Sequence, residues 1–274
     1  MKRFLKITGV ALGLLALAGG AAFAVFPLPG HVPVLMYHFV GSHEDALASK
    51  NYVEPRSLER QMKFLKRFGY RMISIDELYE IKAGLRKPRG REIAITFDDG
   101  NVSFASGAFP ILKKYKYPVM LFLISEALKN ETNGSMSVDA VKEFLKNPWI
   151  HAGSHTRTHP MLSELGESQM RDEIMNSKTE LEQMFGRPFL YLAYPSGDFN
   201  ALIGKITEEA GYRLAFTTSP KKLKASEIGP FSMLRVKISR SSDNPVVFWF
   251  KMSGIYETFK LAFHRRKNQV RASL

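Results

Sequence analysis

Apolar residues along this chain fall into two spacings. In "VPVLMYHFV" (Val32–Val40), "RMISI" (Arg71–Ile75) and "EIAITF" (Glu92–Phe97) they form short, nearly unbroken runs, the pattern of strands buried on both faces. "VMLFLIS", "WIHAGSH", "FLYLAYP", "RLAFTTS" and "MLRVKIS" continue the series to Ser239. Between these runs the apolar residues recur at helical spacing. Leu58, Met62 and Leu65 mark a helix over 57–68, and Met170, Ile174, Leu181 and Phe185 mark a long one over 168–185. Further helices are predicted over 76–82, with Asp76 as N-cap, and over 105–116, 138–145 and 202–210. Strands separated by helical segments imply parallel pairing through crossover helices, and about seven such units favour a closed α/β barrel over an open sheet.

The strand "EIAITF" runs straight into two aspartates, Asp98 and Asp99, followed by Gly100. Neighbours on a strand point to opposite faces, so the pair cannot simply extend the row of Ile93, Ile95 and Phe97. Gly100 is the expected bend. Taken alone, Asp-Gly is an ordinary solvated turn. At the C-terminal end of a barrel strand it is also where active residues collect.

Composition and charge refine the picture. The chain has 274 residues, no cysteine and a formal charge of +13 from 39 basic and 26 acidic residues. Lys2, Arg3 and Lys6 precede an uncharged run, Ile7–Phe26, rich in Leu, Ala and Gly. This predicts a membrane-targeting segment over residues 1–26. It is read either as a signal cleaved near "AFA" (Ala22–Ala24) or as an uncleaved signal anchor, with the body of the protein exported to the periplasm or the outer face of the cytoplasmic membrane, or secreted if the signal is cleaved. Export turns the basic surface away from nucleic acid and toward anionic envelope components. Without cysteines the exported domain must be held by its core alone. The expected layout is a linker over 27–33, a catalytic barrel over 34–242 and a basic, aromatic extension over 243–274. That extension is read as packing on the barrel, with a membrane-surface helix as the alternative.

A second polar cluster, "SHTRTHP" (Ser154–Pro160), closes another strand-like run. Two histidines four apart can reach one metal ion, with a third ligand from a carboxylate elsewhere; two surface histidines beside a turn are the plain alternative. Coupled to Asp-Asp at the C-terminus of another strand in the same barrel, they make a hydrolytic metal site in which one aspartate ligates and the other works as a base.

"TFDDG" followed by "SHTRTH" resembles the first two motifs of the polysaccharide deacetylases, carbohydrate esterase family four, over about residues 33–240. The resemblance implies a distorted (β/α) barrel of fewer than eight repeats and a divalent metal, Zn being favoured. It implies Asp98 as catalytic base and Asp99, His155 and His159 as ligands. It also implies hydrolysis of N-acetyl groups on an amino-sugar polysaccharide. The third motif, usually Arg-x-Pro-Tyr, corresponds to "AYPSG" (Ala193–Gly197), which implies the Ser196 backbone amide as oxyanion donor and Tyr194 and Pro195 as substrate-lining residues. Tyr37 is read as lining the groove, with packing as the alternative. Alanine stands at 193 where the arginine that orients the base is expected, and Arg235 is the candidate substitute. The usual C-terminal Leu-His pair is absent. Instead "PVLMYHFV" resembles the opening of the circularly permuted poly-β-1,6-N-acetylglucosamine deacetylase subgroup, which implies His38 as catalytic acid. Peptidoglycan or another acetylated envelope polymer is the alternative substrate, and a non-catalytic carbohydrate-binding protein the alternative function. His151 is read as packing, or as a group behind the ligands; His31, His43 and His264 are assigned no chemistry.

Overall fold

The computed structural model describes residues 32–42, 44, 51–218 and 229–254. The segment expected to target the chain to a membrane (1–26), most of the linker, and the tail beyond residue 254 lie outside the described residues. Among the described residues no helix is long and apolar enough to cross a membrane.

The strands are β1 (Val34–Tyr37), β2 (Phe39–Val40), β3 (Tyr52–Val53), β4 (Arg71–Met72), β5 (Glu92–Phe97), β6 (Val119–Leu123), β7 (Ile150–Ser154), β8 (Tyr191–Ala193), β9 (Leu214–Thr217), β10 (Met233–Leu234) and β11 (Val236–Lys237). The main sheet is parallel, in the order β10-β9-β8-β7-β6-β5-β1-β11, with β4 beside the start of β5. β2 and β3 form a small parallel pair of their own. β10 and β11 are two halves of one stretch broken at Arg235. The first half bonds β9 and the second bonds β1, so this stretch spans the seam and nearly closes the barrel. Counted once, it gives seven strands around the ring. The predicted strand over Val32–Val40 is divided at His38, where the chain leaves the barrel sheet to pair with β3.

Strand alternation sorts the core into two layers. On β5, Ile93, Ile95 and Phe97 face outward against Leu58, Met62 and Leu65 of the helix Pro55–Arg67. Ala94 faces inward with Val34, Met120, Phe122, Leu214 and Phe216, and Ile73, Ile75 and Leu78 close this interior from the strand N-terminal end. The helix there runs Ile75–Lys82, and Ser74, rather than Asp76, caps it, in a reciprocal capping box with Glu77.

The predicted long helix exists in three pieces, Glu167–Arg171, a π-helical stretch Asp172–Asn176, and Ser177–Phe185. Of the C-terminal extension, the helix Pro245–Met252 is described. It packs Phe248 and Met252 into the outer layer, with Phe248 edge-on to Phe64.

Candidate active site

Asp98 belongs to the inward column of β5, with Ala94 and Thr96, and it still holds strand pairing through its N–H to the Tyr37 carbonyl (2.9 Å). Its carboxylate is buried. Arg235, at the break between β10 and β11, forks onto it, Nη1 to Oδ1 at 2.6 Å and Nη2 to Oδ2 at 2.7 Å. Nη1 also donates to Thr96 Oγ1 (3.1 Å), and the guanidinium carbon lies 5.2 Å above the Phe122 ring. Such a planar, bidentate clamp fixes both position and charge. Burial works to raise the Asp98 pKa, but Arg235, His155 and His38 outweigh it and hold the group down at about 2.

Asp99 would continue the alternation outward. It adopts φ 70°, a left-handed conformation that short polar side chains tolerate, and Gly100 follows at φ 63°, so the chain bends over both residues. The turn swings the Asp99 carboxylate back over the barrel mouth, with Oδ1 3.5 Å from His155 Nε2 and 3.8 Å from His159 Nε2. His155 follows β7 directly, its N–H bonded to the Leu123 carbonyl (2.8 Å). Its Nδ1 lies 2.7 Å from the carbonyl of Ala193. That acceptor places the ring proton on Nδ1 and leaves the Nε2 lone pair free. Ala193, where the arginine is missing, therefore acts through its backbone. Burial also lowers the His155 pKa against the pull of Asp98 and Asp99, which favours the neutral, ligating ring.

One ligand atom each from Asp99, His155 and His159 all lie within 4.8 Å of one another. His155 is buried, whereas Asp99 and His159 are about a third exposed, so the cluster is open on one side. Two imidazoles and a carboxylate with an open face suit a divalent first-row cation that must also take water or substrate. The cavity above them, about 320 Å³, is also lined by His38, Ser196, Thr218, Arg235 and Lys237. His38 Nε2 is 3.8 Å from Asp98 Oδ2, because β1 lies between β5 and β11 in the sheet. Burial lowers its pKa, opposed by Asp98 and Asp99. Ser196 sits at φ 54° in the turn Pro195–Gly197, whose hydrogen bonds run from Gly197 N–H to the Tyr194 carbonyl and from Asp198 N–H to the Pro195 carbonyl (2.9 Å each). The Ser196 N–H stands outside both. Gly197 is required by close approach as well as by its φ of 64°, since a Cβ there would lie 2.1 Å from Thr218 Oγ1.

Residues 85–215 match the family model described as polysaccharide deacetylase. The chain carries a polysaccharide deacetylase domain. Similar proteins extend the match beyond that span. YxkH of Bacillus subtilis (strain 168), named as a polysaccharide deacetylase, is 29% identical over 211 residues, covering 77% of this chain and 72% of YxkH. The poly-β-1,6-N-acetyl-D-glucosamine N-deacetylase of Staphylococcus aureus (strain MRSA252) is 27% identical over 198 residues, 68% of this chain and 67% of that one. Among solved structures, the Streptococcus pyogenes deacetylase PplD in complex with acetate superposes with a TM-score of 0.72 at 26% identity, over 82% of this chain and 99% of PplD. IcaB from Ammonifex degensii gives 0.68 at 26% identity, over 80% and 97%.

The deacetylase domain thus brings Asp98, Asp99, His38, His155, His159, Ser196 and Arg235 to one strand end. It does not bring Tyr37 there. Alternation sends that side chain to the outer layer, stacked on Phe97 with its hydroxyl donating to Gln61 Oε1 (2.8 Å). Tyr194 borders the cavity, but it is fully buried and its hydroxyl donates away from the mouth, to the Phe231 carbonyl (2.8 Å). Pro195 is buried in its turn. Of the three, Tyr194 alone lines the cavity. His151 lies near the other end of β7, 3.9 Å from Asp76, and so is not behind the ligands. Asn51, Thr218 and Lys237 reach the cavity without a sequence signal, since a residue's place on the rim depends on loops and strand ends distant in the chain.

Proposed function

We propose that this domain is a metal-dependent hydrolase that removes N-acetyl groups from an exported amino-sugar polysaccharide, with poly-N-acetylglucosamine as the favoured substrate and acetate as product. The observation that carries the reading is the placement of two neighbouring carboxylates. Asp98 is clamped and ionised beside the ligand cluster that Asp99 joins. A divalent cation, Zn2+ being favoured, supplies Lewis acidity toward the acetamide carbonyl and lowers the pKa of water. Asp98 accepts the proton of the attacking water, and Arg235 holds its lone pairs in register. The Ser196 N–H donates to the oxygen on which charge develops. His38, across the cavity, delivers a proton to the departing amine nitrogen.

A second cavity of about 470 Å³ shares Asp99 and His159 with the first and is lined by Asn101, Glu126, Asn130, Thr132 and Asn133. Amide and hydroxyl side chains suit sugar hydroxyls, which supports a polymer rather than a small acetamide. The Staphylococcus relative supports the poly-β-1,6-linked substrate, and the acetate in PplD fits the expected product. The charged and apolar N-terminus supports an envelope location.

Acetate release from a panel of polymers tests this reading. Poly-β-1,6-N-acetylglucosamine is expected to be deacetylated at a higher kcat/KM than peptidoglycan or acetylated xylan. Faster release from peptidoglycan would move the substrate assignment, and binding without release from any polymer would replace the enzyme reading with a carbohydrate-binding one.

A further inference from the structure

The loop that carries both histidines is held in a conformation its residues do not prefer. Thr156 (φ 65°) and His159 (φ 68°) are both left-handed, and for a β-branched threonine this is an outlier that the surroundings must impose. Between them lie Arg157 and Thr158. The N–H groups of these two residues donate to one oxygen of Glu173, Oε2, at 3.0 and 2.9 Å, and Thr158 Oγ1 donates to Oε1 at 2.6 Å. Glu173 is 7% exposed. It borders neither cavity around the ligand cluster and is not one of the ligands.

Its own position is also built. Glu173 lies in the π-helical stretch Asp172–Asn176, a widened turn that frees backbone carbonyls. The carbonyl of Ile174 within it accepts from Ser177 Oγ (3.0 Å) and from Tyr212 Oη (3.2 Å), so the irregular turn is anchored from α-helical and barrel sides. The same helix grips the loop again through Ser177, whose Oγ is 2.9 Å from Ser154 Oγ, and through Asp172 and Glu180, which accept from the Arg157 guanidinium (3.1 Å each).

We infer that Glu173 is a positioning residue for the cation site: by fixing the backbone of Arg157 and Thr158 it sets His159 where Nε2 meets Asp99 and His155. The inference rests on the reading that this cluster holds a divalent cation. Removing the clamp releases the strained loop and separates one ligand from the other two, so cation affinity falls before the chemistry does.

The test is calorimetric titration of the metal-free full-length protein with Zn2+, alongside melting of the metal-free form and acetate release at low and saturating Zn2+. Glu173→Leu keeps a side chain of similar bulk but removes both acceptor oxygens, and with them all three bonds to Arg157 and Thr158. Thr158→Val removes only the hydroxyl bond and leaves both amide bonds. The expected result is a Zn2+ Kd raised about 10–100-fold by Glu173→Leu, the usual range for groups that orient ligands, and a smaller rise for Thr158→Val. Saturating Zn2+ is expected to restore most of kcat in both. A parental Kd in the folded variants, with only the melting temperature lowered, overturns the inference by making Glu173 structural. If Glu173→Leu does not fold, an unchanged Kd in Thr158→Val overturns it. A parent protein that binds no Zn2+ overturns the cation reading itself, and this inference with it.

Discussion

Asp98→Asn lowers kcat for acetate release by about 10²–10⁴-fold, the span typical of a lost general base, while Zn2+ affinity stays close to that of the parent. The two effects separate because Asp98 and Asp99 do different work one residue apart. Asp99, His155 and His159 keep their mutual distances in the variant, whereas the group beside them can no longer take a proton. An amide at 98 still accepts from Arg235 Nη1 or Nη2, which limits the structural damage. Single-turnover acetate release with a parallel Zn2+ titration reads both quantities. Loss of cation binding together with activity would make Asp98 a ligand and dissolve the division of roles. His38→Ala is expected to fall in the same range with cation binding intact, since its ring stands 3.8 Å from Asp98 and outside the ligand cluster.

Arg235→Met has the second large expected effect, and it acts on stability as well as rate. The pair is buried on both sides, at 1% and 2% side-chain exposure, so removing the cation strands a carboxylate in the barrel interior. Breaking a buried pair in this way costs about 3–5 kcal/mol. The melting temperature should therefore fall by roughly 2–4 °C for each kcal/mol lost in a domain of this size. The sign with pH follows from the direction of the shift. Asp98 sits at about 2 in the folded protein, below an unfolded carboxylate near ~4, so it contributes stability that is complete above ~4 and fades as pH drops toward 2. Without Arg235, burial dominates and raises the group, so ionised Asp98 then destabilises the fold at neutral pH. The melting gap between parent and Arg235→Met is expected to be widest near pH 7 and to narrow as both are acidified. A gap independent of pH would mean that packing over Phe122, rather than charge, is what the arginine supplies. Arg235→Lys should recover part of the stability but little of the rate, because an ammonium cannot fork onto both oxygens.

The strand ends were legible in the sequence because their apolar runs are long and their polar interruptions abrupt. "ITFDDG" and "SHTRTHP" both fall at the C-terminal mouth of the barrel, as the pattern required. What the sequence withheld is mostly parity and irregularity. Tyr37 and His38 are neighbours, and one faces a helix while the other faces the cavity; a single step in register decides which. That the bend takes in Asp99 as well as the expected Gly100 could not be read, since a non-glycine residue only sometimes adopts positive φ. The π-helical stretch left no mark on the apolar spacing of the helix over 168–185, so nothing in the pattern singled out Glu173. Arg235 was visible only as a basic residue in a strand with a vacancy to fill at Ala193. Its contact with Asp98 joins residues 137 apart in the chain and needed the barrel seam to be seen.

The central claim is that the Asp99, His155 and His159 cluster holds a cation on which deacetylation depends. Its most direct test is acetate release from poly-β-1,6-N-acetylglucosamine by protein stripped with chelator and then titrated with Zn2+. The account predicts that the stripped protein is inert and that activity returns with about one equivalent of metal, as expected for a single three-ligand site. Full activity in the stripped protein, or no return on adding Zn2+ or another divalent cation, would contradict it.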